Sequence, residues 1–295
     1  MANSISPRLD YVAIQDAVYR ASSITSVLDT PGEAVRFINA GTVLYRDTKS
    51  GPLHSKTAVN RVNDVTTTWN SYSLDYDRVA DIIIDSVEDD KAGGRIMADS
   101  ITDQVEHATV ELDAYRFAKI ISGATTDNTV YEKNITSGYQ EKLDEAIKAM
   151  KKNRKSTLTS NLYFFLSSDF YNGFMQEAGK IIMNGDLDIQ KDVTRYRGIQ
   201  LIEVPGNLTF ASAIDLKDDG FEKNAQALDA NYLLVDPRAI IQVITHQFGN
   251  YFPVGVWQGA AGEEAYKYRI VGGDTIREGL KEGIYVSLNG DDPSA

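Results

Sequence analysis

The chain has 295 residues, 42% of them hydrophobic, enough to bury a sizeable core and long enough for two domains. It contains no cysteine, which excludes disulfides, thiolate catalysis and cysteine-ligated zinc or iron–sulfur sites, and its formal net charge of −12 disfavours gripping nucleic acid through counterion release. No apolar run approaches the length that crosses a bilayer, and the opening MANSISPRLD lacks the hydrophobic core of a secretory signal, so a cytoplasmic chain with no membrane partner is expected.

Residues 1–30 mix small polar and scattered apolar types and end at the turn signal Pro31-Gly32, which reads as an arm with a short helix near 11–20. From residue 33 the pattern becomes β. Val35, Phe37 and Ile38, then Val43, Leu44 and Tyr45, are the branched and aromatic types that fit a pleated surface. A matching stretch returns at 66–76, where Tyr72, Leu74 and Tyr76 alternate with Ser71, Ser73, Asp75 and Asp77. The two stretches are predicted to pair as a hairpin.

Between them, RDTKSGPLHSKTAVNR has almost no large apolar residue and cannot fold onto a core of its own, so it should project. Its basic residues Arg46, Lys49, Lys56 and Arg61 stand against Asp47, whereas 75–90 holds Asp75, Asp77, Asp81, Asp85, Glu88, Asp89 and Asp90 against Arg78. A basic tip over an acidic base would have to fold double within one copy. Contact with a second copy of the chain is the easier geometry.

The stretch between Gly93 and Gly123 has no internal Pro or Gly. Met97, Ile101, Val105, Ala108, Leu112 and Tyr115 recur at steps of three and four, with Asp99, Asp103, Glu106 and Asp113 opposite, which predicts one long amphipathic helix not buried all round. At 1.5 Å per residue it spans roughly 42 Å, long enough to act as a beam.

A polar linker then opens an α/β body. A helix is predicted over 140–153, with Leu143, Ala146, Ile147 and Met150 on one face and Lys148, Lys151 and Lys152 at its C-terminal end. Strands are predicted over 162–166, 199–204, 232–235, 266–270 and 283–288. Ser168-Asp169 should cap a helix carrying Phe170, Tyr171, Phe174 and Met175, and Asp236-Pro237 should start a short helix or turn. Alternating strands and helices predict a central sheet covered by helices.

Chemistry is sparse. Gly93-Gly94 and Gly272-Gly273-Asp274 match no phosphate loop and read as turns. DLKDDGFE at 215–222 resembles a calcium loop, but Lys217 and Ala227 stand where ligands belong, so it reads as a polar turn. His54, His107 and His246 have no metal spacing, and no GxSxG motif is present. Nothing argues for an enzyme, a metal or a cofactor.

In element order, with an arm, a projecting two-stranded loop, a long helix after an acidic segment and an α/β body, the chain resembles the major capsid proteins of tailed bacteriophages, the Hong Kong 97-type α+β fold. The likeness is strongest over 72–122 and is supported by NYLLVDPRAIIQVITH and AYKYRIVGGDTIREGLKEGIYVSL. It implies an N-terminal arm (1–32), an extended β-hairpin loop (33–85), a peripheral domain with the spine helix (86–123), an axial domain (124–255) and a return segment (256–295). The implied function is self-assembly, as pentamers and hexamers, into an icosahedral shell enclosing double-stranded DNA. Scaffold, portal and decoration proteins are the implied partners, and the virion, assembled in the host cytoplasm, is the location. Some relatives join subunits through a Lys–Asn isopeptide bond near the loop tip, where Lys49 and Lys56 stand here. A separate scaffold, or prior removal of such a segment, is implied, because the chain starts without a long charged helical extension of the kind some relatives use.

From the charges, Lys49, Lys56 and Arg61 are expected to lie on an acidic surface of an adjacent subunit, either Asp99, Asp103 and Glu106 of the spine or the 81–90 run. Two other readings stay open. An encapsulin, a protein-filled nanocompartment shell, shares the fold, and a soluble cytoplasmic α/β enzyme would be a small oligomer with a ligand pocket.

Overall fold

A computed structural model describes residues 11–30, 35–39, 41–50, 65–91, 95–153, 162–182, 195–256 and 262–291. The lysine- and arginine-bearing loop tip at 51–64 and Gly93-Gly94 lie outside these residues. In chain order the elements are helix α1 (Tyr11–Ser22), strands β1 (Val35–Asn39), β2 (Thr42–Ser50), β3 (Val65–Ser73) and β4 (Tyr76–Asp85), then helices α2 (Ser86–Lys91) and α3 (Ile96–Ser122). There follow β5 (Thr129–Tyr131), α4 (Tyr139–Asn153), β6 (Tyr163–Ser167), α5 (Ser168–Ile182), β7 (Arg195–Tyr196) and β8 (Ile199–Val204). Strands β9 (Ile214–Lys217), β10 (Gly220–Lys223), β11 (Asp229–Val235), β12 (Ile240–Phe252), β13 (Glu263–Ile276) and β14 (Ile284–Asn289) complete the chain.

The chain divides into two units, one made of Met1–Ser26, Leu74–Asp113 and Val243–Gly273, the other of Val27–Ser73, Ala114–Gln242 and Asp274–Ala295. In the first, β12, β13 and β4 form a sheet with β4 at its edge. The inward side of β4 is held by Glu111 of α3, which accepts from the Tyr76 hydroxyl at 3.2 Å and pairs with Arg78 at 2.6 Å. Burial, with the Glu111 charge next, pushes the Tyr76 phenol well above its usual range. Helix α1 is fastened to the same sheet, where Tyr266 donates to the fully buried Gln15 at 2.7 Å.

The second unit is built on the sheet β5-β14-β11-β6-β8-β7. Phe164, Leu166, Leu201, Tyr232 and Leu234 present one face of it to Leu143, Ala146, Ile147 and Met150 of α4 and to Phe170 and Phe174 of α5. The opposite face meets α3, whose Phe117 ring contacts Phe165 at 5.1 Å and Phe210 at 4.9 Å, edge-on. A sheet covered on both faces explains the continuous apolar runs of β6 and β11.

Four local readings change. Helix α3 is amphipathic only over its first turns, since every residue from Glu111 to Ala118 is buried. Asp113, placed by periodicity on the open side, is fully buried and accepts from the Ser23 hydroxyl at 2.9 Å and the Ile24 amide at 2.7 Å. Its donors lie about ninety residues away, so no local pattern announces them. The α5 cap is Ser167, not Ser168: its hydroxyl accepts from the Phe170 amide at 3.3 Å, and Ser168 turns to Glu203 at 2.7 Å. Gly272 lies inside β13, not in a turn, because a Cβ there would come within 3.0 Å of the Val243 carbonyl oxygen. The expected Asp236-Pro237 start is present, with the Asp236 carboxylate accepting from the Arg238 amide at 3.1 Å.

Candidate assembly surfaces

Strands β2 and β3 pair antiparallel in unbroken register from Thr42↔Ser73 to Ser50↔Val65, the predicted hairpin, and β1 adds outside β2. Because side chains alternate along a strand, this register sorts the arm into two faces. One carries Val35, Val43 and Tyr45, all buried, with Tyr72 beside Tyr45. Burial, then the nearby Asp274 charge, raises the Tyr72 phenol far above its usual range. The base of the arm is tied down where Arg277 donates to the Arg46 carbonyl at 3.0 Å. Below it Arg116, 1% exposed at its side chain, pairs with Asp29 at 3.1 Å and lies 3.8 Å from Asp274.

The other face of the arm is open. Arg36 sits opposite Leu44, and Arg46 opposite Trp69. Trp69 is 41% exposed and Ile38, at the β1 bulge, 58%. The Arg36 guanidinium lies over the Trp69 ring at 4.7 Å from its centroid, a cation–π contact. By register this face carries two arginines and no acid, since Asp47 points the other way.

A second open surface is the outer side of β4, where Asp77, Val79, Asp81, Ile83 and Asp85 are all exposed. Val79 and Ile83 are 64% and 48% exposed, between acids partly answered by Arg269 on Asp77 at 2.6 Å and Lys267 on Asp81 at 3.2 Å. The Arg269 hydrogen bonds hold the Asp77 carboxyl below its usual range. The third surface is the exposed side of α3, where Asp99, Asp103 and Glu106 follow one another at helical spacing, with His107 3.7 Å from Asp103.

Of the residues expected to mediate contact, Lys49 lies in β2 opposite Thr66, while Lys56 and Arg61 fall outside the described residues. Asp99, Asp103 and Glu106 are exposed together. In the 81–90 run, Asp81 and Asp85 are engaged within the chain, Asp85 accepting from the Val87 amide at 2.8 Å, and Asp89 is buried. Trp69 and Arg36 were not singled out by sequence, and Arg46 was only counted among the basic residues of the loop. The signal was present, since Trp69 alternates in phase with Ser71 and Ser73 and out of phase with Tyr72.

A cavity of about 640 Å³ opens in the second unit between the ends of β6 and β8 and the start of α5, over Tyr139, Phe170 and Phe210. Its charged lining is Asp169 and an internal Lys223–Asp229 pair at 2.6 Å, and the Ser168 hydroxyl at its wall donates to Glu203 at 2.7 Å. Among the described residues no group of three or more His, Asp or Glu could hold a metal, and no helix is long and apolar enough to cross a membrane.

No protein-family model and no curated protein matches the chain. Solved structures do. The capsid of cyanophage P-SCSP1u aligns over 92% of this chain and 89% of its own at 11% identity and TM-score 0.63. The chain has the Hong Kong 97-type fold of tailed-phage capsid proteins. The mature capsid of bacteriophage PhiM1 shares it over 86% of this chain and 83% of its own, at 11% identity and TM-score 0.54. So does the holo-SrpI encapsulin complex of Synechococcus elongatus, over 99% and 92% at 14% identity and TM-score 0.52. In Hong Kong 97 terms, β2 and β3 are the extended loop and α3 is the spine.

Proposed function

We propose that this chain is a structural subunit that self-assembles, as pentamers and hexamers, into an icosahedral virion shell enclosing double-stranded DNA. The observation that carries this reading is the open face of the arm. A sheet that leaves a tryptophan and two arginines uncovered on an extension of the chain is completed by another molecule. A second copy is the partner with the right chemistry, since its α3 and β4 surfaces offer Asp99, Asp103, Glu106, Val79 and Ile83. Each exposed charge pair contributes about 0–1 kcal/mol, so such contacts register subunits only by repetition over a closed shell.

In this reading Lys49, Lys56 and Arg61 make a further basic contact with the neighbour's acidic spine face, separate from the Arg36 and Arg46 face, since Lys49 is in register phase with Asp47. Assembly takes place in the host cytoplasm, with a scaffold, a portal and decoration proteins as further partners. The net charge of −12 keeps the inner wall from holding packaged DNA tightly. A protein-filled compartment is the second reading, favoured by the 99% coverage against an encapsulin. Electron microscopy of the purified protein tests both. Closed particles of uniform size are expected, their contents separating genome from cargo, and a monodisperse small oligomer under all conditions would contradict both.

A further inference from the structure

The second unit carries opposite charges at its two ends. Along α4, Glu141 and Glu145 open the exposed stripe and Lys148 and Lys152 close it, with Lys151 beside them. All three lysines are exposed, and none is in an ion pair among the described residues. The helix dipole favours Lys151 and Lys152 in the last turn and leaves Lys148, one turn earlier, without that explanation.

The acidic end is the hairpin of β9 and β10. Lys217 pairs with Gly220 in its ladder, so Asp218 and Asp219 form a two-residue tip, both exposed, and Gly220 takes the positive φ of 111° that lets the chain turn back. Lys217 is answered by Glu222 at 2.5 Å, which leaves Asp218 and Asp219 without a cation among the described residues. Leu216, opposite Phe221, is 37% exposed, so the hairpin offers an apolar side chain beside its acids.

The two charges stand apart. Lys223, the last residue of the hairpin, lines the same cavity as Tyr139, the first residue of α4. From Tyr139 the helix runs about 20 Å to Lys152 at 1.5 Å per residue. The stem of the hairpin and the lysines are therefore at opposite ends of one body, which suits contact between copies. Two unlike patches on every copy meet head to tail, and such contacts repeat until a ring closes.

We propose that the acidic β9–β10 hairpin of one copy seats against the lysine end of α4 on the next, and that this contact closes the rings from which the shell is built. The contact rests on the shell function proposed above and supplies a join within its pentamers and hexamers. Exposed charge pairs are weak singly and add up around a closed ring, so the rings should loosen as salt rises.

Charge exchange on the full-length protein tests this, read by electron microscopy and sedimentation. A hairpin variant, Asp218→Lys with Asp219→Lys, and a helix variant, Lys148→Glu with Lys151→Glu and Lys152→Glu, should each lower the yield of particles by about tenfold or more while circular dichroism shows the fold kept. All five substitutions in one chain exchange the two signs and should restore closed particles, which a folding defect would not allow. Mixing the hairpin variant with the helix variant should give six-membered rings, in which they alternate, and few closed particles, because a five-membered ring retains one like-charged contact. Normal particles from either variant, or a five-substitution chain as defective as its parents, would overturn the contact and leave the shell function standing. If the helix variant fails to fold, normal particles from the hairpin variant alone would do the same. Wild-type protein that stays a single subunit at every concentration would sink both.

Discussion

The sheet of the body and the sheet of the arm are made of similar residues and have opposite fates. In the body, Phe164 and Phe165 are adjacent residues of β6 facing opposite ways, and both are fully buried, one against α4 and α5 and the other against Phe117 of α3. In the arm, Val43 is fully buried while the opposite face leaves Trp69 and Ile38 open to water. The first sheet is complete within one chain. The second leaves one face uncovered, and in the function proposed above another copy covers it.

Substitutions that separate folding from assembly sharpen this contrast. Phe164→Ala should lower unfolding free energy by about 3–5 kcal/mol, seen in a denaturant titration of dissociated subunits. Trp69→Ala should cost less than about 1 kcal/mol in the same titration, yet abolish particles in sedimentation. If the two exchanged phenotypes, the contrast would be wrong. Arg116→Met comes next: it leaves Asp274, 3% exposed at its side chain, buried without its cation, and should cost about 3 kcal/mol or more.

Asp113→Ala should cost roughly 1–3 kcal/mol by leaving the Ser23, Ile24 and Thr25 donors unmatched, with increased exchange confined first to 23–25. Charge reversal at Lys49 and Lys56 should leave folding unchanged and impair shell formation, less so at higher salt, which screens the contact in wild type and variant alike; normal shells from the double variant would remove the tip contact. The smallest effect is a titration. Asp77 is held low by Arg269, so the stability it contributes is present above the ordinary value of 3.8 and lost as pH falls through its lowered value. Arg269→Gln should move the Asp77 carboxyl signal in an NMR titration upward, with little change in melting temperature.

Much of the architecture was legible because it rests on local periodicity. The α4 face, the β6 run, the Asp236-Pro237 start and the pairing of the loop arms all follow from neighbours within a few residues. The losses have one cause, partners distant in sequence. Asp113 reads as a surface acid until Ser23 and Thr25 are brought to it. Strand β4 was hidden because Ile82 and Ile84 share one side while Val79 and Ile83 share the other, so neither phase looks apolar. Gly272 reads as a turn because the neighbouring strand that needs its missing Cβ is invisible in sequence. At the candidate surfaces, counting charges found the acidic spine face but not the arm face around Trp69, which depends on strand phase.

A density map of the purified particle at side-chain resolution is the decisive measurement. It should show another copy lying over Trp69, Arg36 and Arg46, with acidic and apolar side chains against them. Particles in which that face meets only solvent, or protein that stays a single subunit at every concentration, would contradict it.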